Sequence, residues 1–203
     1  MTQRLAFALA LAIVLPAIAS AQSDCRSIHA DLDRLACYDR ESGRTSEVTP
    51  IETESDWRVR REKSEMTDDT DVYMSVDSDA PIVCGFSGPE TATLILRCRE
   101  KTTSVIISTT GCHMASSDYN DYGEVTYRID DLPSSAMDFV ESTDNRALGL
   151  WRGGSAIPFI KALFEHRELL TRFTPFGDSP VTARFQIGGI DEAIAPLREA
   201  CGW

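Results

Sequence analysis

Leu94 to Cys98 reads Leu-Ile-Leu-Arg-Cys, and Val105-Ile106-Ile107 follows after the charged, threonine-containing segment Arg99 to Thr103. Two β-rich runs this close together read as a β-hairpin, and an almost unbroken apolar pair belongs at the centre of a sheet. Side chains alternate along a strand, so Leu94, Leu96 and Cys98 share a face and the Cys98 thiol points where the leucines point. The end of the chain supplies a second thiol in a similar setting. Ile190, Ile194, Leu197 and Cys201 recur at helical spacing, which puts Cys201 on the apolar face of a terminal helical segment. We expect Cys98 and Cys201 to bond and tie the last element to the central hairpin. In the chain-entropy model, cross-linking a loop of about 100 residues stabilises by roughly 4.7 kcal/mol.

The first 21 residues stand apart from any fold. Arg4 gives a positive start, Leu5 to Ile18 is apolar apart from Pro16, and Ala19-Ser20-Ala21 is a small-x-small cleavage site, the pattern of a secretory signal over 1–21. A membrane anchor needs roughly 20 apolar residues, and this stretch is shorter and broken by proline. Cys25 follows Gln22-Ser23-Asp24, which does not fit a lipidation site. The expectation is a soluble periplasmic protein with no membrane insertion after cleavage. All six cysteines lie beyond the leader, and an even count in an exported chain reads as three disulfides, for which sequence alone allows 15 pairings. The 32 acidic against 20 basic residues give a net charge of −12. Such a surface repels phosphate backbones and argues against nucleic acid as a partner.

Asp24 to Glu41 is helical in composition, with Ile28, Leu32 and Leu35 as an apolar stripe. A straight helix would hold Cys25 and Cys37 roughly 18 Å apart at 1.5 Å per residue, whereas a disulfide needs Cα atoms within about 7 Å. Asp31 and Asp33 can each cap a new helix, so the favoured reading is a break there and a helical hairpin over 22–41 closed by Cys25–Cys37. The polar segment 42–55, with Gly43 and Pro50, reads as a linker. A β-rich main domain over 56–203 follows. Its expected strands are an edge strand at Trp57 and Val59, then Val72 to Val76, Ile82 to Phe86, the central hairpin, Glu124 to Ile129, Leu169 to Phe173 and Val181 to Ile187. Cys84 and Cys112, each at a strand end, pair mainly by elimination. A helix capped by Ser155, with Pro158 in its first turn, runs to about Phe164, and Pro196 kinks or restarts the terminal helical segment. The fold class is therefore α+β: an antiparallel β-sandwich or bent sheet, two packing helices and the N-terminal hairpin.

Chemistry-bearing patterns are sparse. Asp68, Asp69 and Asp71 invite a calcium reading, but no Asp-x-Asp-x-Asp-Gly loop with a closing glutamate surrounds them. Cys112-His113 lacks a paired-cysteine or paired-histidine spacing for a metal. His29, His113 and His166 stand without a Gly-x-Ser-x-Gly, Ser-x-x-Lys or paired-His motif, and Gly153-Gly154 reads as a turn and not a phosphate cradle. No catalytic residue, metal ligand or cofactor is assigned. The loop Ser116 to Gly123 offers Tyr119 and Tyr122 as contact residues, because tyrosine gives large area at small entropic cost. Trp57 and Trp151 complete the expected partner surface.

Several local patterns taken together resemble a known family. Asp24-Cys25 with Arg34-Leu35-Ala36-Cys37-Tyr38-Asp39, then Trp57, Ser64-x-Met66-Thr67-Asp68, Leu94-x-x-Arg97-Cys98, Val125-x-Tyr127-Arg128, Ser142-Thr143, Thr174-Pro175, Ala183-x-Phe185-x-x-Gly188 and Cys201-Gly202-Trp203 are similar to the VasI/TagO family of type VI secretion-associated proteins. The resemblance covers essentially the whole chain after the leader. It implies a periplasmic accessory protein that binds envelope components of a secretion apparatus without catalysis. It also implies that Cys25, Cys37, Cys98 and Cys201 are family cysteines, with Cys84 and Cys112 as additions. The competing reading is a periplasmic cell-wall-directed enzyme or enzyme inhibitor. An apolar pocket gathering His113 or His166 with a serine and a carboxylate would favour the enzyme.

Overall fold

The structure is a computed structural model of the chain and describes residues 25–27, 34, 37, 38, 42, 55–85, 88–117 and 119–203. The chain divides into two compact units, Met1–Thr49 and Pro50–Trp203. In the first, a 3-10 turn covers Cys25–Ser27, and Arg34, Cys37 and Tyr38 are helical. Cys25 and Cys37 are both buried and joined by a disulfide with Cα atoms 5.6 Å apart. The expected leader over 1–21, most of the hairpin over 22–41 and most of the linker over 42–55 lie outside the described residues.

The second unit is built from antiparallel strands. In chain order these are β1 (Arg58–Lys63), β2 (Thr70–Asp77), β3 (Ile82–Val83), β4 (Pro89–Glu90), β5 (Thr93–Arg99), β6 (Thr102–Ser108), β7 (Glu124–Ile129), β8 (Ser135–Asp138), β9 (Val140–Glu141), β10 (Ala147–Leu150), β11 (Glu168–Phe173) and β12 (Val181–Gln186). A six-stranded sheet runs β1-β2-β5-β6-β10-β9, a four-stranded sheet runs β12-β11-β7-β8, and β3 pairs with β4. Helix α1 is Gly153–Ala162, and the terminal segment is two short helices, α2 (Ile190–Ala193) and α3 (Ala195–Cys201). Pro196 sits in the first turn of α3, where its missing amide is harmless, so the helix restarts there.

The central hairpin is the pairing of β5 with β6, with Leu94 opposite Ile107 and Leu96 opposite Val105. Strand alternation puts Val72, Met74 and Val76, Leu94, Leu96 and Cys98, Val105 and Ile107 on one buried face. From the smaller sheet Val125, Leu169, Phe173, Ala183 and Phe185 join the same apolar core, as do Phe159 and Ile160 of α1 and Leu197 of α3. Cys98 and Cys201 form a disulfide with Cα atoms 5.7 Å apart, fastening α3 to that face. The two sheets also meet at an antiparallel bridge between Ser78 and Phe185.

Several details differ from the sequence reading. Helix α1 starts two residues before Ser155, with extended Arg152 as its N-cap, so Gly153 and Gly154 form a helical turn. The Ser155 hydroxyl donates back to the Arg152 carbonyl at 3.2 Å and does not cap. Pro158 therefore lies inside the helix, and the exposed Gly154 carbonyl loses its helical donor to solvent. Strands β4, β8, β9 and β10 have no counterpart in the sequence reading, and the strand expected over Ile82 to Phe86 is confined to Ile82–Val83, with Phe86 outside the described residues. In β10 all four residues, Ala147-Leu148-Gly149-Leu150, are buried, so no polar alternation marks the strand. A Cβ on Gly149 would come within 2.7 Å of the Trp151 ring, so only glycine lets the indole lie against this strand.

The β5–β6 turn places two non-glycine residues in the left-handed region, Glu100 at φ 49° and Lys101 at φ 58°. Asp71 compensates by accepting the Glu100 amide at 2.9 Å, and Asp69 lies 3.3 Å from the Lys101 ammonium. Lys101→Gly, measured by urea unfolding, should raise stability by about 0.5–1 kcal/mol, because glycine takes this conformation without the side-chain clash. In the same assay, Cys98→Ser with Cys201→Ser should lower stability by about 3–5 kcal/mol. An unchanged midpoint would show that α3 docks without its bond.

Candidate interaction surfaces

Two loops meet at one edge of the second unit. The first joins β6 to β7 and is held at several of its described residues. At its start, the Glu90 carboxylate on β4 accepts backbone amides from Thr110 at 2.6 Å and Gly111 at 2.7 Å, together with the Thr110 hydroxyl. The neighbouring Cys84–Cys112 disulfide holds Cα atoms 5.1 Å apart. Further on, the Met114 amide donates to the Asn145 carbonyl at 2.7 Å, and Asn145 Nδ2 donates to the Met114 carbonyl at 3.0 Å. The Ser116 hydroxyl donates to Glu141. At the far end Gly123 adopts φ 91°, and a Cβ there would strike the Phe139 carbonyl at 2.6 Å.

The second loop, between β11 and β12, is stitched to the first. The Phe176 amide donates to the His113 carbonyl at 2.7 Å, and the Gly177 amide donates to the Tyr122 hydroxyl at 3.2 Å. Asp178 accepts the Gly85 amide. The Phe176 ring lies 5.6 Å from His113, edge on, and 5.5 Å from Tyr122. Phe176 is 59% exposed and Tyr119 97% exposed. A groove of about 460 Å³ adjoins Tyr122, lined also by Ser116, Ser117, Asn120 and Phe139. Aromatic side chains held in solvent by a pre-set backbone are suited to binding, because little ordering entropy remains to be lost.

A second surface is the outer face of the six-stranded sheet. Arg60, Tyr73, Arg97 and Ser104 stand in register across β1, β2, β5 and β6. The Arg60 guanidinium lies 4.9 Å from the Tyr73 ring centre, and that of Arg97 lies 5.8 Å from Trp151. Trp151 is half-buried, with its indole N–H donating to the Val140 carbonyl at 2.9 Å.

Trp57 does not belong to either surface. It is 7% exposed, and its indole donates to the Ile187 carbonyl at 3.2 Å, so this tryptophan is a core residue and leaves the expected contact set. Of the remaining three, Tyr122 joins the loop cluster, Tyr119 stands free on the same loop and Trp151 lies on the sheet face. Phe176, His113 and Arg97 stand outside the contact set that the sequence offered. A phenylalanine between Pro175 and Gly177 was the available signal, since a turn leaves such a ring little to pack against.

Several titratable groups are engaged within the scaffold. His166 Nδ1 lies 2.8 Å from Asp130, whose other oxygen accepts the amides of Arg167 at 3.1 Å and Glu168 at 2.8 Å. Among the described residues, no hydroxyl or thiol bonds to the imidazole of His113 or His166; His29 lies outside them. Asp68 pairs with Lys63 and Asp69 with Lys101, while Asp71 takes the Glu100 amide, so these carboxylates point to different partners. Cys84, Glu90 and Cys112 converge, but the disulfide removes the thiolates a metal would bind.

Burial pushes the Glu90 carboxyl up, yet the Thr110 hydroxyl and the amides of Thr110, Gly111 and Cys112 together hold it below its ordinary value. For Asp130, burial is likewise outweighed by His166 and two backbone amides. Glu141 is held low chiefly by the Ser116 hydroxyl. A carboxylate whose folded pKa is depressed contributes stability above its unfolded value, about 4, and loses it as the pH falls through the folded value. Thermal melts should therefore show Tm falling steadily below about pH 4. Glu90→Gln should lower Tm at neutral pH and reduce that acid dependence. A variant with an undiminished acid slope would contradict the role given to Glu90.

The family model described as Type VI secretion system VasI, EvfG matches residues 24–203. Comparison with curated proteins and with solved structures gave no match. The matched span takes in all six cysteines, the central hairpin and both loops of the aromatic cluster, and the chain belongs to the VasI family of type VI secretion-system proteins.

Proposed function

We propose that this protein is a periplasmic accessory component of a type VI secretion system, acting by protein–protein binding and without catalysis. The observation that carries the reading is the aromatic cluster of Tyr122, Phe176 and His113, with Tyr119 beside it in sequence, held open to solvent by hydrogen bonds that involve both loops. Exposed aromatic rings on a fixed backbone are the residues that dominate interface energetics. Family membership supports the secretion apparatus as the source of the partner, an envelope component. Export to the periplasm is supported by the leader-like residues 1–21 and by three disulfides with no free cysteine among the described residues, the usage of an oxidising compartment.

Crosslinking in the native periplasm, followed by affinity capture and mass spectrometry, tests this in parallel with a deletion strain assayed for secretion. The wild type should enrich envelope components of the apparatus, and the deletion should lower secretion. Phe176→Ala combined with Tyr119→Ala should reduce capture by about tenfold or more, the loss expected for central aromatic contacts, with Tm nearly unchanged. Enrichment of cell-wall enzymes with normal secretion would move the assignment to the inhibitor or enzyme reading.

A further inference from the structure

Arg97 stands on β5, third strand of the six-stranded sheet, and alternation turns it away from the core that Leu96 and Cys98 face. It is half-buried there. Among the described residues, no carboxylate forms an ion pair with its guanidinium. Ser104 Oγ lies 3.5 Å from one terminal nitrogen, at the limit of a hydrogen bond, and itself donates to the Trp151 carbonyl at 3.3 Å. The Nε atom is sealed from solvent without any acceptor, a state found for no other buried side-chain nitrogen or oxygen among the described residues. A guanidinium partly withdrawn from water, with the Asp71 carboxylate acting on it only at a distance, is left short of acceptors, and an anion meeting its accessible nitrogens from outside would offset that cost. Burial also pulls the Arg97 pKa below its ordinary value.

A recess of about 450 Å³ opens beside this guanidinium, lined by Arg97, Trp151, Glu141, Ser142, Thr143 and Asp144. Its two carboxylates are already engaged. Glu141 takes the Ser116 hydroxyl, and Asp144 takes the Ser142 hydroxyl at 2.5 Å and the Arg146 amide at 3.2 Å. Both are held below the usual carboxylate range, Glu141 chiefly by Ser116 and Asp144 chiefly by Ser142, and so are ionised at neutral pH. The recess thus combines one unpaired cation, an aromatic surface and two negative walls. Small free anions are repelled by those walls and by the net charge of −12. A carboxylate carried on a peptide terminus meets the requirement better: it can form a charge-assisted pair with Arg97, while the adjoining amide N–H groups face the acidic walls and the last side chain lies on the indole. We infer that the Arg97–Trp151 recess is a binding site for the carboxyl terminus of a peptide segment. This extends the binding reading above to Trp151, and its test uses short peptides, so its failure is distinct from failure to capture a secretion component.

Nuclear magnetic resonance of the disulfide-intact, 15N-labelled chain reads the atoms concerned. Titration with N-acetyl-Ala-Ala, free at its carboxyl end, should shift the Arg97 Nε–H and Trp151 indole N–H signals saturably. The indole signals of Trp57 and Trp203 should stay still. The same peptide amidated at its end should bind about tenfold more weakly or not at all, the loss expected for a charge-assisted hydrogen bond. Arg97→Gln should abolish the Trp151 shift. Shifts of equal size from the amidated peptide, or no saturable shift at Arg97, overturn the site. N-acetyl-Glu-amide binding as tightly as the dipeptide would overturn the assignment to a chain terminus in favour of an acidic side chain. Sodium acetate matching the dipeptide would reduce the recess to a non-selective anion site and overturn the peptide assignment.

Discussion

The strict alternation of β5 is the constraint on which both sides of the six-stranded sheet depend. Leu94, Leu96 and Cys98 face the core while Ile95 and Arg97 face out, and a slip of one residue would exchange the two sets. That exchange would bury a guanidinium and turn Cys98 away from Cys201. The disulfide between them is consequently more than a restraint on the unfolded chain: it forms only in the register that keeps Arg97 on the outer face. The pairings on either side, Leu96 with Met74 and with Val105, spread that register through the sheet. Core, terminal helix and outer surface are fixed together.

The loop surface is stabilised by different means. A long connection between β6 and β7 has no secondary structure to order it, so its shape must come from side chains that reach it. Glu90 gathers the amides at one end, Glu141 holds Ser116, and Asn145 exchanges two bonds with Met114. Each of these holds a backbone position, and the aromatic side chains then project from a frame that does not need to reorganise. The second loop adds Phe176 through the carbonyl of His113 and the hydroxyl of Tyr122, so the two halves of the cluster are mutually positioned.

Legibility in the sequence followed burial on one face. β2, β7 and β12 each bury one side and leave the other to polar residues, and their alternation showed them, while β5 was marked by its almost unbroken apolar run beside that of β6. The spacing of Ile190, Ile194, Leu197 and Cys201 carried the match between Cys98 and Cys201 for the same reason. β10 is covered on both faces and has a glycine at its centre, so neither period appears. The start of α1 was misplaced because Ser155 looks like a cap, whereas the actual N-cap, Arg152, uses only its extended backbone. The candidate site was half legible. Tyr119 and Tyr122 announce themselves in a polar loop, but Trp57 shows that an aromatic beside charged residues can still be core when its strand end dips inward. Phe176, His113 and Arg97 gain their roles from neighbours distant in sequence, and no local pattern encodes those.

The division between the two surfaces has an electrostatic logic. The loop cluster rests on ionised carboxylates whose charges are spent on backbone amides and hydroxyls, so the protein's acidity there serves structure. On the sheet, Arg58 and Arg60 of the edge strand β1 share the outer face with Arg97, two strands inward, while Arg61 and Lys63 alternate to the other face. Arg58 pairs with Asp77 and Arg60 with Glu62, whereas Arg97 has no ion-pair partner among the described residues. Charges on an edge strand discourage unwanted pairing with other strands, and the unpaired Arg97 charge favours the approach of a negative group to the outer face. A partner that engaged both surfaces would meet aromatic contact area at the loops and positive charge on the sheet. Area at a rigid patch governs how long a complex lasts, and charge governs how fast and in which orientation it forms, so the two surfaces contribute separable properties to one encounter.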